Sequence, residues 1–165
     1  MFLGYQQGKI KFYTEQPLDP TFYNLEKVEE TQDEYVLDGE EYVLKDEAWE
    51  EKQVQAEKER IAKLYLTGAD VERGIYQAKG MDFDDILAYV TQLQPQGLDI
   101  KALKIELKAN NFYRGNPYVS AIGVLLGFTE EQLNIFFETN DYTVLLPKEE
   151  PTKTPIEEPI AYDDI

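Results

Sequence analysis

Apolar residues change their spacing near residue 46, and the change divides the chain into two kinds of element. Before it they alternate. Phe2-Leu3-Gly4-Tyr5 and Lys9-Ile10-Lys11-Phe12-Tyr13 flank Gln6-Gln7-Gly8, with Ile10 and Phe12 set between lysines. That alternation predicts a hairpin with one apolar and one wet face. Pro17 and Pro20 then interrupt it. A local repeat follows, in which Asp33-Glu34-Tyr35-Val36-Leu37 is echoed by Glu40-Glu41-Tyr42-Val43-Leu44 across Asp38-Gly39. Asp-Gly between two β-prone runs signals a hairpin, so the duplicated Tyr-Val-Leu reads as two paired strands.

From Asp46 to Leu66 the pattern is helical, with Asp46 as the cap and Ala48, Trp49, Val54, Ile61, Leu64 and Tyr65 as its apolar members. The stretch Glu50 to Arg60 is almost wholly polar, which suits a solvated linking helix. Beyond Thr67 the signals are caps. Thr67 with Asp70, Asp82, Asp99, Asn116-Pro117, and Thr129 with Gln132 each open a helix, while Gly80 and Gly127 close two of them. Ile100, Leu103 and Leu107 share one stripe and Ile105 lies on another. Pro147, Pro151, Pro155 and Pro159 then recur among Glu, Lys and Thr, the composition of an extended or disordered tail. The expected class is α+β. It comprises a β-hairpin module over residues 1–45, a linking helix over 46–66, a compact domain of about five helices over 67–146, and an acidic tail over 147–165.

Charge and chemistry narrow the function. The chain has 16 basic and 33 acidic residues, a formal charge of −17, with neither histidine nor cysteine. His-based triads, Cys nucleophiles and His or Cys zinc sites are therefore excluded. The negative field opposes nucleic-acid binding and favours basic protein surfaces. No apolar run approaches the ~20 residues needed to span a bilayer, and the N-terminus lacks the basic region of a signal peptide. The expected setting is the host cytoplasm or a virion, without a membrane, metal or cofactor.

Several motifs carry two readings. Val119 to Phe136 has helix–turn–helix spacing, but the second helix begins Thr129-Glu130-Glu131, and its acids oppose a DNA groove. Asp82-Phe83-Asp84-Asp85 is either a magnesium site or a set of carboxylates at a helix start, and the second suffices. Lys101, Lys104 and Lys108 share a helix face near Arg114, and either bind an anionic surface or neutralise the chain's own acidic helices. Asn110-Asn111-Phe112-Tyr113-Arg114-Gly115-Asn116-Pro117 is either a connector or, if Phe112, Tyr113 and Arg114 are exposed together, an interface hot spot. Ile160-Ala161-Tyr162-Asp163-Asp164-Ile165 is a solvated end or a docking element.

The run from Leu103 through Phe137, centred on Asn111 to Pro117 and on Leu126-Gly127-Phe128-Thr129, resembles a small protein of tailed bacteriophages and prophages. The resemblance implies a gene near tail and lysis genes. The β start followed by Trp49-Glu50-Glu51 and a charged helix is also similar in layout to phage tail-fibre assembly chaperones, from which the helices after Thr67 depart. Neither resemblance carries over a catalytic residue. The chain is thus expected to be a non-enzymatic, tail-associated structural or assembly protein, with an acidic nucleic-acid mimic that inhibits a host enzyme as the alternative. Its expected partner is a tail, baseplate or fibre protein, a basic host protein or a second copy. The candidate binding residues are Trp49, Phe112, Tyr113, Arg114 and Tyr162.

Overall fold

The structure is a computed structural model that describes residues 1–147; the proline-rich tail and Tyr162 lie outside the described residues. Its architecture is α+β, and the chain divides into two compact units, Met1–Ile61 and the residues from Ala62 onward.

In the first unit, β1 (Phe2–Gln6) and β2 (Lys9–Thr14) form the expected hairpin. Gln7 and Gly8 both take positive φ at its tip, and their N–H groups donate to the Glu26 carboxylate at 2.9 Å each. A third strand, β3 (Lys27–Glu30), pairs with the free edge of β1 and gives the order β2-β1-β3. Alternation does not reveal β3, because Val28 is its sole apolar residue. β4 (Tyr35–Asp38) and β5 (Glu41–Leu44) pair around Gly39, whose φ of 64° suits the hairpin turn. The rings of Tyr35 and Tyr42 lie 5.6 and 5.9 Å from Tyr13 of β2. Helix α1 (Glu47–Ala62) starts where Asp46 accepts the Trp49 N–H at 2.9 Å, and none of its residues is fully buried.

The expected helix does not continue to Leu66. It stops at Ala62, and Tyr65–Thr67 becomes β6, antiparallel to β7 (Asn111–Tyr113). Two backbone bonds fix the change, Gly115 N–H to Ala62 O at 3.1 Å and Arg114 N–H to Leu64 O at 2.8 Å. Leu66 can then lie opposite Phe112, where both side chains pack at the core. A Cβ on Gly115 would fall 2.9 Å from Ala62 O, so the crossing needs glycine.

The remaining helices of this unit are α2 (Gly68–Lys79), α3 (Phe83–Leu93), α4 (Ile100–Glu106), α5 (Pro117–Leu125) and α6 (Glu130–Thr139). Thr67, Asp82, Asp99, Asn116 and Thr129 cap them as their spacing predicts, and Gly80 ends α2 in the left-handed region. A 3-10 turn at Tyr142–Leu145, which the sequence pattern does not announce, places Leu145 in the core. Ile86, Val90, Leu103 and Phe136 form the centre of that core, each 1% exposed or less. Ile105, on the other face of α4, is 71% exposed.

Candidate interaction site

Strand alternation separates the three loop residues that the sequence groups together. Phe112 points inward, 6% exposed, its ring 5.4 Å from that of Phe83. Arg114 also points inward, 5% exposed. Tyr113 between them points out, its ring tilted against that of Tyr65, its partner across the ribbon, at 5.7 Å. The three therefore do not form one exposed patch, and only Tyr113 is open to a partner.

Arg114 instead braces the helix pair that follows. Its guanidinium donates to Ser120 Oγ of α5 at 2.9 Å, and to the carboxylate and backbone carbonyl of Glu130 at the start of α6. Its Nε is buried without a hydrogen-bond partner. Gly123 lets α5 and α6 approach closely, since a Cβ there would lie 2.4 Å from Leu133 Cδ1. This is the close packing that helix–turn–helix spacing predicts, with an acidic first turn on α6.

Trp49 is half-buried, and its indole Nε1 is buried without a hydrogen-bond partner, so this ring is a packing element more than an open anchor. Lys101, Lys104 and Lys108 are exposed. None lies within 4.0 Å of a carboxylate among the described residues, so the expected neutralisation of acidic helices is not made there. Arg114, being buried, does not belong to that face. Asp82 and Asp85 satisfy each other's backbone N–H groups in a capping box at 2.8 and 3.2 Å, a structural use for both carboxylates. Along α1, Glu57 is tied to Arg60 and Glu59 accepts from Gln55, which engages two of the acids that phosphate mimicry would draw on. Among the described residues no helix is long and apolar enough to cross a membrane.

An apolar cavity of about 40 Å³ lies within the helical unit, lined among others by Val71, Ile86, Leu103, Ile122 and Phe136. Ligand sites occupy roughly 300 Å³ or more, so this is a packing void.

Exposed apolar side chains occur in both units, but in the first they have almost no core beneath them. Of the fully buried apolar side chains among the described residues, Leu3 is the one contributed by Met1–Ile61; the rest lie in the helical unit. Tyr5, Ile10, Phe12, Tyr13, Tyr35, Val36, Tyr42 and Val43 are only half-buried. Phe22 is 79% exposed and Tyr23 39% exposed. In the sequence this turn shows as the break at Pro17 and Pro20. The available signal was Asp19-Pro20-Thr21, an Asx-turn composition placed directly before two aromatic residues.

Compared with known proteins, the chain gives no significant match to a family model, a curated protein or a solved structure.

Proposed function

We propose that this chain is a phage tail-associated structural or assembly protein, chaperone-like in action, which works by holding another protein. Its setting would be the host cytoplasm, or the virion if it stays in the particle. The tail context comes from the resemblance around Asn111 to Pro117 and Leu126 to Thr129. The binding mode rests on one observation, the near-absence of a private core in the N-terminal unit.

Small domains bury too little surface to be robust, and a unit of about 60 residues is marginal even when well packed. Here a single large side chain, Leu3, is fully buried, while a row of aromatic and β-branched residues stays half open. A partner laid on that surface would supply the missing burial. Residues 1–61 carry 7 basic and 16 acidic groups, a net −9, so a basic partner fits best.

Co-expression with tail, baseplate and fibre proteins, followed by affinity capture and proteomics of purified particles, tests the proposal. A tail component should be recovered with the chain in a complex that salt weakens. Recovery of none, with the chain also absent from particles, would remove the proposal.

A further inference from the structure

We propose that the turn Asp19–Asn24 is a docking anchor for a basic, amphipathic segment of a partner protein, with Phe22 as the inserted side chain. This rests on the protein-binding reading above and adds to it the place and the chemistry.

The turn is held in shape from several directions. Asp19 Oδ1 accepts the N–H groups of Thr21 and Phe22 at 2.8 and 3.1 Å. The Tyr23 N–H donates to Asp19 O at 3.1 Å and the Leu25 N–H to Pro20 O at 2.8 Å. From β1, Gln6 Nε2 donates to Tyr23 O at 2.7 Å. On this fixed backbone the rings form a ladder that leads outward. Phe12 lies 5.2 Å from Tyr23, and Phe22 meets Tyr23 edge-on at 4.8 Å. Phe22, the outermost ring, is the most exposed large apolar side chain among the described residues. An aromatic ring presented on a preorganised turn loses little freedom on docking, which is how interface anchors gain affinity.

Charge selects the occupant. Lys9, Lys11, Lys27, Lys45 and Lys52 each already lie within 4.0 Å of a carboxylate of the same unit. What the unit presents outward is therefore its excess of acid, including exposed Glu15, Asp19 and Glu26 around the turn. A second copy would set one net −9 surface against another, and anionic lipid would be repelled in the same way. A segment with an apolar face and basic flanks satisfies both the ring and the field.

The test uses the full chain, labelled with nitrogen-15, and a synthetic helical peptide of about 14 leucine and lysine residues, close to four turns. Two control peptides replace lysine by glutamate or leucine by serine. The Leu/Lys peptide should shift the amides of Thr21 to Leu25. It should bind about tenfold or more weaker to Phe22→Ala than to the parent chain. Its affinity should fall as salt rises from about 0.05 to about 0.5 M, and both controls should bind more weakly. An unchanged melting temperature shows that Phe22→Ala is folded, and Phe22→Trp should retain binding with a fluorescence shift. Shifts confined elsewhere, equal binding to Phe22→Ala, equal binding of the glutamate peptide, or no binding of the Leu/Lys peptide would each overturn the anchor. So would Phe22-dependent dimerisation in sedimentation velocity, or Phe22-dependent binding to phosphatidylcholine vesicles. Capture of a tail component equally by parent and Phe22→Ala would sink the anchor and leave the protein-binding reading standing, whereas failure of that reading shows as no tail component captured by either.

Discussion

Gly74 sits in the middle of α2, where alanine ordinarily gains about 1 kcal/mol over glycine. Its missing Cβ would fall 2.4 Å from Cζ of Phe136, a ring 1% exposed and held edge-on against Phe137. Overpacking of that kind costs about 1–3 kcal/mol, so the clash outweighs the propensity. Gly74→Ala should lower the melting temperature of the helical unit. At Gly123 the same distance is to Leu133 Cδ1, the tip of a flexible side chain and not a rigid ring, so Gly123→Ala should cost less than Gly74→Ala while still destabilising. A stabilised Gly74→Ala would show that Phe136 is not wedged. A second residue-scale prediction concerns Tyr5, whose phenol donates to Glu29 at 2.7 Å. That bond, reinforced by burial and the carboxylate's charge, pushes its pKa from 10.0 up to about 12. The folded phenol keeps its proton where the unfolded one ionises, so its contribution to stability is complete below pH 10 and is lost as pH climbs towards 12. Carbon-13 NMR of the tyrosine rings should show one residue titrating near 12, and Glu29→Gln should bring it back down.

Elements here are joined by few but decisive contacts. Arg114 ties β7 to α5 and α6 through charge-assisted bonds, each worth about 1.5–3 kcal/mol. Arg114→Ala should destabilise the helical unit by about 2–3 kcal/mol in urea unfolding. Arg114→Lys should recover part of that, since an ammonium lacks the planar fork that spans Ser120 and Glu130. Helix α1 is the opposite case. With no fully buried residue, it should lose helicity in Gln55→Pro, at a local cost of about 3 kcal/mol, without altering the melting of the helical unit. Far-UV circular dichroism alongside thermal unfolding measures both effects. The same contrast explains what could be read from the sequence. Caps at Thr67, Asp82, Asp99, Asn116 and Thr129 depend on neighbours two or three residues away, so spacing reveals them. β3, β6 and β7 exist because a distant strand pairs with them, and three or four residues carry no periodicity of their own. The composition of Phe112-Tyr113-Arg114 was legible as that of a contact surface. That alternate residues turn inward depends on β7 being a strand, and the exposure of Phe22 depends on the fold of its turn, neither of which composition carries.

At the scale of the whole molecule, apolar burial is very unevenly shared between the two units. Residues 62–147 expressed alone should fold and melt cooperatively. In the full chain, the fluorescence of Trp49, its only tryptophan, should change at a lower temperature than the helical circular dichroism. A single coincident transition would show that the N-terminal unit needs no partner to be stable. The helical unit has a softness of a different sort in its void of about 40 Å³. Space that vanishes on unfolding makes the unfolded state smaller, by an amount that scales with the void. Proteins shrink by about 20–100 mL per mole on unfolding, so squeezing to about 2 kbar would tilt the balance by roughly 1 kcal/mol or more against the native form, before any chemical denaturant is added. The best-packed half of the molecule is thus the half that hydrostatic compression should reach through its interior.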